Sequence, residues 1–576
     1  MVVKKLVSGL GRKYKLFTFI TPLVMIGEVL METIIPRIMS KIIDFGISSR
    51  DIHYVMRTGL LMIFATLFSL LCGAGGGRLS SVAALGFSRN LREKLFKKVQ
   101  SFSFSEMDKF GTGTLVTRLT TDVTNLQNMY QNVIRSMVRS PLMLISGTVM
   151  ACFINKELAL IFFVTVPFLA ILLAFIAVTA YPRFKLMFEK YDLMNTIVQE
   201  NLIAIRVVKA FVRGNFESKK FEKIAGQVRD AQVKAEKIVI TNGPVMQLTI
   251  YMCICAALWF GGNKVLAGKM RTGELISFLT YITQILMSLM MLSMMFVQFI
   301  LSRASITRVC EVLDSPSGEQ ERFDSNLVKD FSNSIEFDHV YFSYDGRIEN
   351  CVLSDICLKI PSGATVGIIG GTGSSKTTLV SLIPRLYDCL SGAVKVGGID
   401  VKKIDLESLR KSIGVVLQKN VLFSGTIAEN LRWGNENATQ ADLIQACIAA
   451  DAHDFVSSFP NGYDTVLEQG GVNLSGGQKQ RLCLARALVK KPSILILDDS
   501  TSAVDTATDS RIQKSLKECL SGTTKIIIAQ RINSVQNADI IVVLDEGKIN
   551  GIGTHQKLIA ENKIYREVYD SQLGQN

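Results

Sequence analysis

Long apolar runs separated by polar, basic segments fill the first half of the 576-residue chain. An α-helix needs about 20 mostly apolar residues to cross the hydrocarbon core of a bilayer. Six runs reach that length: 16–36, 57–77, 136–156, 158–181, 244–263 and 275–301. The pattern therefore predicts six transmembrane helices, with a lipid bilayer around this half of the chain.

The connections between these runs alternate between short and long. Runs one and two, three and four, and five and six are joined by short segments, whereas the other two connections are long, polar and basic. Lysines and arginines precede the first run, which predicts a cytoplasmic N-terminus and puts the long connections on the same side. Their amphipathic spacing predicts helices that continue beyond the membrane, with short elements near 110–123 and 205–217.

The pattern changes after the sixth run. A linker signal, Asp314-Ser-Pro-Ser-Gly318, is followed from about residue 335 by short β-rich runs that alternate with helical patterns. Such alternation is typical of an α/β domain with a largely parallel sheet. We therefore expect a membrane domain at 1–313, a linker at 314–334 and an α/β domain at 335–576.

The charge follows the same division. Residues 1–320 hold 37 Lys+Arg and 20 Asp+Glu, a net of +17, so 321–576 hold 27 and 30, a net of −3. A nucleic-acid-binding protein would carry its basic surface on a soluble domain. Here the positive excess lies with the apolar runs, which excludes a nucleic-acid partner and fits cationic loops beside membrane helices. The 11 cysteines show no spacing of a zinc ligand set, and we expect free thiols.

A phosphate-binding loop lies between a predicted strand and a predicted helix. The segment from Gly370 to Thr377 fits the P-loop template except at Ser375, where a glycine is expected. We expect backbone N–H groups to surround phosphates and Lys376 to reach the β- and γ-phosphates of ATP. The expected nucleotide contacts are Gly370, Gly371, Thr372, Gly373, Ser374, Ser375, Lys376, Thr377 and Thr378.

A second apolar strand, 493–498, ends in Asp498, as the Walker B carboxylate of P-loop proteins does. This carboxylate and the Thr377 hydroxyl are expected ligands of Mg²⁺. Both cofactors, ATP and Mg²⁺, are thus predicted from residues that lie more than 100 positions apart in the chain.

The segment Leu474-Ser-Gly-Gly-Gln478 matches the signature of the ATP-binding-cassette (ABC) family, so the chain specifically resembles that family. The whole chain resembles an exporter-type ABC half-transporter: six spans, two long cytoplasmic loops, a linker and one cassette. The resemblance implies that Tyr344 stacks on adenine, that Gln418 contacts Mg²⁺, and that Asp505 belongs to the D-loop, 502–505. It also makes 110–123 and 205–217, with Arg118 and Phe211, the coupling-helix regions.

The resemblance implies that two cassettes sandwich two ATP molecules. Ser475, Gly476, Gly477 and Gln478 of one chain would face the γ-phosphate held by the other, because N–H groups at a helix N-terminus favour an anion. The implied partner is a second ABC half-transporter. The implied activity is an ATPase-coupled transporter in the plasma membrane, with a cytoplasmic nucleotide-binding domain.

Three departures from the family pattern fall on one nucleotide site. Asp499 stands where the family usually has the catalytic Glu, Gln530 where it has the switch His, and Ser375 in the P-loop. Glutamine cannot carry a proton as histidine can. The signature is intact, so the chain resembles the degenerate-site subunit of a heterodimeric exporter. The alternatives are a homodimeric exporter with slow ATPase and a nucleotide-gated, non-pumping regulatory membrane protein; the spans argue against a soluble cassette ATPase.

Polar side chains inside the predicted spans are costly and usually face a cavity. The first span holds Glu28 and Glu32 one turn apart, and methionines line the sixth. We expect a substrate cavity for small hydrophobic or amphipathic compounds, drug-like or lipid-like, with the two carboxylates favouring cationic ones. The candidate lining residues are Glu28, Glu32, Gln284, Met291 and Gln298.

Overall fold

A computed structural model describes residues 2–316, 331–500 and 504–573. The chain forms two compact units, one of 1–100 and 112–315 and one of 101–111 and 316–576. Most of the predicted linker, and 502–503 of the predicted D-loop, lie outside the described residues. The predicted domains assigned all of 1–313 to the membrane half, whereas the structure groups 101–111 with the second unit.

The first unit is helical, because its long apolar runs satisfy every backbone polar group within the helix. The π-helical segment Ile42–Ile47 extends the second helix of the chain, and Arg118–Asp122 joins the fifth helix of the chain to the sixth. The helices up to the linker, of which α4 belongs to the second unit, are α1 Val2–Val7, α2 Arg12–Lys41, α3 Ile52–Gln100, α4 Phe104–Phe110, α5 Thr112–Thr117, α6 Val123–Ile154, α7 Lys156–Ile203, α8 Ile205–Ala210, α9 Gly214–Ile240, α10 Asn242–Leu266 and α11 Thr272–Asp314.

Six helices of the described chain are long and apolar enough to cross a membrane, as predicted. Several continue well beyond the predicted spans: α3 has 49 residues and α7 has 48. The short element expected near 110–123 is α5, which follows Gly111, a residue with a left-handed φ of 69°, and continues through Arg118–Asp122 into α6. A further short helix, α4, precedes Gly111. The other short element, α8, lies within 205–217 as expected.

The second unit contains the α/β domain. Its strands are β1 Ile335–Phe342, β2 Leu353–Ile360, β3 Thr365–Gly370, β4 Ser391–Val396, β5 Ile399–Asp400, β6 Ile413–Val416, β7 Gly425–Thr426, β8 Val466–Leu467, β9 Ile494–Asp498, β10 Thr524–Ile528, β11 Ile540–Asp545 and β12 Lys548–Gly553. Its helices after α4 are α12 Lys376–Ser381, α13 Leu406–Ser412, α14 Ile427–Arg432, α15 Gln440–Ala449, α16 His453–Ser457, α17 Gly476–Val489, α18 Thr506–Cys519, α19 His555–Glu561 and α20 Lys563–Leu573.

A six-stranded sheet in the order β12-β11-β3-β10-β9-β6 forms the centre of this domain. All its pairings are parallel except that of the edge strand β12. Strand β9 shows why the sheet lies in the middle: Ile494 and Ile496 pack in one hydrophobic core, and Leu495 and Leu497 in the other. The carboxyl ends of β3, β9, β10 and β6 therefore meet at one edge, which is where ligands of such sheets bind.

Candidate functional site

The P-loop connects the strand β3 to the helix α12. Gly370 ends the strand so tightly that a Cβ atom there would lie 2.1 Å from the Leu544 carbonyl oxygen. Gly373 has a φ of +86°, a conformation that glycine adopts without steric cost. The outer part of the loop, Gly371 to Gly373, is exposed, and Thr377 is exposed at the start of α12. The loop thus presents backbone N–H groups and the N-terminal end of a helix to solvent.

Lys376 lies against the inside of this loop. Its Nζ donates hydrogen bonds to the carbonyl oxygens of Gly370 at 2.8 Å and Gly371 at 2.7 Å, and to Ser374 Oγ at 3.2 Å. Burial lowers the pKa of Lys376, while the negative charges of Asp498 and Asp499 act in the opposite direction. The ammonium group is therefore positioned at the loop that is expected to hold the phosphates.

The residues at the end of β9 fit a magnesium ion. Asp498 is 2% exposed, and its Oδ2 has no hydrogen-bond partner among the described residues. Burial raises the pKa of Asp498, while a hydrogen bond from the Thr377 hydroxyl opposes that rise. An orphaned buried carboxylate oxygen beside a hydroxyl is a donor set that suits Mg²⁺. Asp498 and Thr377 would hold the ion, which neutralises phosphate charge when it is bound.

Asp499 and Gln530, the two residues that the sequence analysis expects at catalytic positions, contact each other. Gln530 follows β10, and its Nε2 donates a 2.9 Å hydrogen bond to Asp499 Oδ2. The Gln530 carbonyl oxygen in turn accepts a hydrogen bond from Gln572 Nε2 at 2.9 Å. Asp499 itself has a left-handed φ of 50°. The Asp499 carboxylate thus accepts a hydrogen bond from a neutral amide.

The signature begins α17 and is open to solvent. Ser475 is the N-cap residue and forms a capping box with Gln478. The Ser475 side chain accepts a hydrogen bond from the Gln478 backbone N–H. Ser475 and Gly476 are exposed and Gly477 is half-buried. A surface cavity beside them is lined by Ser475, Gly476, Gly477, Arg481, Val504 and Asp505. Asp505 caps α18 by accepting a 2.9 Å hydrogen bond from the Thr508 N–H, and this bond lowers the pKa of Asp505.

Tyr344 and Gln418 also lie on the second unit. The Tyr344 ring is 51% exposed and its hydroxyl is 2.9 Å from Thr378 Oγ1, just behind the P-loop. The ring meets Tyr387 edge-on at 5.3 Å between centroids, which orients its face. Gln418 is exposed two residues beyond the end of β6, the strand beside β9. The stacking of Tyr344 on adenine and the contact of Gln418 with Mg²⁺ stay predictions.

Comparison with known proteins agrees with this geometry over nearly the whole chain. The family described as ABC transporter transmembrane region matches residues 18–290, and the one described as ABC transporter matches 353–502. An uncharacterized ABC transporter ATP-binding protein of Bacillus subtilis, YfiB, is 38% identical over 98% of this chain and 97% of its own. The chain belongs to the ABC transporter family.

Two further relatives refine the assignment of this ABC transporter. An ATP-dependent lipid A-core flippase of Desulfotalea psychrophila is 33% identical over 84% of each chain. A bacterial Atm1-family ABC exporter solved with ATP bound has the same fold, with a TM-score of 0.84 at 24% identity over 97% of this chain and 99% of its own. The chain therefore has the fold of an exporter-type half-transporter, and its cassette binds ATP with Mg²⁺; ABC exporters function as dimers in the bilayer.

The polar residues of the transporter's membrane helices fall into two groups. Glu28 and Glu32 on α2 both pair with Arg139 on α6, at 3.3 Å and 2.7 Å. Gln284 on α11 joins them, since its Nε2 lies 3.5 Å from the Glu32 carbonyl oxygen. Arg139 was not predicted, although a charged residue inside the span 136–156 is itself a signal of function.

The second group lies further along α11. Met291 and Gln298 follow Gln284 at seven-residue intervals, so the three share one face of the helix. Gln298 lines an apolar cavity between α6 and α11 together with Met129, Asn132, Val133, Met137, Leu292, Met295, Phe296 and Phe299. Of the candidate substrate residues, Glu28, Glu32 and Gln284 thus belong to a charged cluster and Gln298 to an apolar pocket, whereas Met291 is 49% exposed and lines neither.

The two residues assigned to coupling regions differ in their surroundings. Arg118 donates a 3.0 Å hydrogen bond to Glu311 of α11 within the first unit. Phe211 is 73% exposed at the end of α8. Sequence reasoning missed Tyr387, whose hydroxyl donates a 2.7 Å hydrogen bond to Asp108 Oδ2 of α4 within the second unit.

Proposed function

We propose that this chain is the degenerate-site subunit of a heterodimeric ABC exporter in the plasma membrane. In this proposal it exports hydrophobic or amphipathic compounds, and its N-terminus and cassette are cytoplasmic. The observation that carries the heterodimer proposal is the contrast between the Asp499–Gln530 pair and the open signature at Ser475.

The Asp499–Gln530 pair favours ATP binding over hydrolysis at this chain's own Walker side. Aspartate is one methylene shorter than the glutamate it replaces, and a displacement of about 1 Å can cost about a hundredfold in rate. The Gln530 amide occupies one carboxylate oxygen and cannot carry a proton. Because Lys376 and Asp498 are intact, ATP and Mg²⁺ still have their ligands. ATP held here acts as a clamp on the closed cassettes.

The signature side of the chain retains what a functional site needs. The Ser475 hydroxyl accepts a hydrogen bond from the Gln478 N–H alone, and Gly476 and Gly477 leave their own backbone N–H groups accessible to an anion. In the proposed heterodimer this surface completes the composite site in which the partner provides the catalytic glutamate and switch histidine. Turnover then occurs mainly there.

The substrate class is supported by the membrane residues and by the relatives. The apolar cavity lined by Met137, Met295 and Gln298 suits a hydrophobic group, and methionine side chains adapt to varied shapes. The relatives named as lipid A-core flippases act on an amphipathic lipid. Two glutamates and one arginine leave the charged cluster with a net charge of −1, so the preference for cationic compounds is weaker than two free carboxylates would give.

Two substitutions in this chain test the assignment. The chain is co-purified with the half-transporter encoded beside it and reconstituted in liposomes, and ATP turnover is measured. Gly477→Asp puts a negative charge where the γ-phosphate docks, at a helix position that favours an acid, so the fold is retained and turnover falls by about a hundredfold. Asp499→Asn leaves most of the turnover.

Other results distinguish the alternatives. Loss of turnover in Asp499→Asn with retention in Gly477→Asp would reverse the assignment of the two sites. Slow ATP turnover by the purified chain alone, with no increase when the neighbouring half-transporter is added, would indicate a homodimer with slow ATPase. ATP-dependent uphill accumulation of a dye in the same liposomes supports a pump, whereas its absence despite ATP turnover favours the non-pumping regulatory protein.

A further inference from the structure

A β-bulge on the antiparallel sheet of the cassette brings three metal-ligating side chains together. Strands β1 and β2 pair Phe337 with Leu358 and then Val340 with Ile356. Two residues of β1, Asp338 and His339, therefore lie opposite the single residue Cys357 of β2. A bulge of this kind redirects side chains and often lies at functional positions.

The side chains of His339, Asp355 and Cys357 converge on the exposed face of this bulge. His339 Nδ1 is 2.6 Å from Asp355 Oδ1 and 3.4 Å from Cys357 Sγ, and Cys357 Sγ is 4.0 Å from Asp355 Oδ1. His339 and Asp355 have left-handed φ values of 47° and 53°. Such backbone is uncommon for residues other than glycine and is often found at functional positions.

The positions of the nitrogen, oxygen and sulfur atoms distinguish a catalytic relay from a metal site. A Cys–His–Asp catalytic relay needs the thiol and the carboxylate on different nitrogens of the imidazole ring. Here both approach the same nitrogen, Nδ1. Three lone-pair atoms, one nitrogen, one oxygen and one sulfur, therefore surround one common point, which is the requirement for a shared cation.

The distances suit a tetrahedral zinc ion after small side-chain rotations. Zinc bond lengths of about 2.0–2.3 Å give separations of about 3.3–3.6 Å between ligand atoms. The sulfur–nitrogen separation of 3.4 Å already agrees, and the other two, 2.6 Å and 4.0 Å, require changes of less than about 1 Å. All three residues are exposed, so their side chains are free of core packing.

We propose that His339, Asp355 and Cys357 bind a borderline divalent transition-metal cation, zinc above all, with water in the fourth position. Mixed sulfur, nitrogen and oxygen ligands select zinc over magnesium or calcium, which prefer oxygen alone. Asp338 of the same bulge is neutralised by Lys395 at 2.7 Å, so Asp355 and the Cys357 thiolate supply the negative charge of the site. The cation would fix the bulge in β1, the strand that leads to Tyr344.

Cobalt(II) titration of the purified full-length protein tests this site. A thiolate-bound Co²⁺ ion gives a charge-transfer absorption band in the near ultraviolet, and Zn²⁺ should displace it at one ion per chain. Cys357→Ser should abolish the band. His339→Asn, chosen because asparagine tolerates left-handed backbone, should weaken Co²⁺ binding by more than about tenfold.

Cys519→Ser is the matched control, because Cys519 is an exposed cysteine of the same domain outside the bulge. It should leave the band unchanged, and all variants should bind ATP as the parent does, which excludes unfolding. A band that survives Cys357→Ser, or that is lost in Cys519→Ser, would overturn the proposal.

Discussion

One P-loop residue, Ser375, has a strained backbone conformation at a position where the family template has glycine. Ser375 is the N-cap of α12 and has a φ of 70°, in the left-handed region. A residue with a Cβ atom pays about 1–2 kcal/mol for that conformation. The same residue gives no side-chain hydrogen bond to the helix end it caps. The serine therefore costs stability at the place where the phosphates are expected to bind.

Ser375→Gly should stabilise the cassette by about 1 kcal/mol and tighten ATP binding, because glycine adopts the left-handed conformation without the steric cost. Thermal unfolding with and without ATP measures both effects. Ser374→Gly is the control: Ser374 is 4% exposed and its Oγ accepts from Lys376, so this change should destabilise. Equal effects of the two substitutions would contradict the explanation by strain.

At the scale of elements, one arginine joins two membrane helices. Arg139 of α6 lies between the carboxylates of Glu28 and Glu32 on α2, and Glu28 Oε2 is buried with no partner among the described residues. Two carboxylates one helical turn apart repel each other in a medium of low dielectric constant unless a cation lies between them. The arginine therefore holds α2 against α6.

Arg139→Gln should lower the melting temperature in detergent more than Glu28→Gln does, because it leaves two adjacent carboxylates without a cation. Glu28→Gln keeps the shorter Glu32–Arg139 pair at 2.7 Å. The triple variant Glu28→Gln, Glu32→Gln, Arg139→Gln removes the repulsion and should recover part of the loss. If Arg139→Gln melted no lower than Glu28→Gln, the arginine would not be compensating the charges.

At the scale of the whole molecule, the two compact units do not follow the order of residues along the chain. Residues 101–111 connect two long membrane helices along the chain but pack within the second unit. Asp108 of α4 accepts the hydroxyl of Tyr387, and the Phe104 ring lies 6.0 Å from the Tyr387 ring. Burial raises the pKa of Tyr387, and the hydrogen bond to Asp108 adds to the rise.

Tyr387→Phe keeps the ring and removes the hydroxyl, so it should lower substrate transport while ATP turnover continues. A hydrogen bond to a carboxylate contributes about 1.5–3 kcal/mol, enough to loosen α4 without unfolding the cassette. The ratio of compound transported to ATP hydrolysed, measured in liposomes, should fall. Asp108→Asn, which retains an acceptor oxygen, should have a smaller effect, and an unchanged ratio in Tyr387→Phe would show that this bond does not couple the two activities.

The sequence by itself determined the features that depend on neighbouring residues. Transmembrane helices follow from the length of an apolar run, because the bilayer demands an internally bonded helix. The P-loop, Asp498 and the signature follow from short motifs placed between predicted strands and helices. These expectations required no knowledge of how distant parts of the chain meet, and the fold and the comparisons confirm the family and its architecture.

Tertiary structure decided which distant residues act together. The pairing of Asp499 with Gln530 depends on the adjacency of β9 and β10, and that of Arg139 with two glutamates depends on the rotation of α2 against α6. The cysteine spacing showed no zinc set, since Cys357 meets His339 only through a shift of strand register at a bulge. A one-residue shift in a β-sheet changes which side chains share a face, and sequence spacing does not record it.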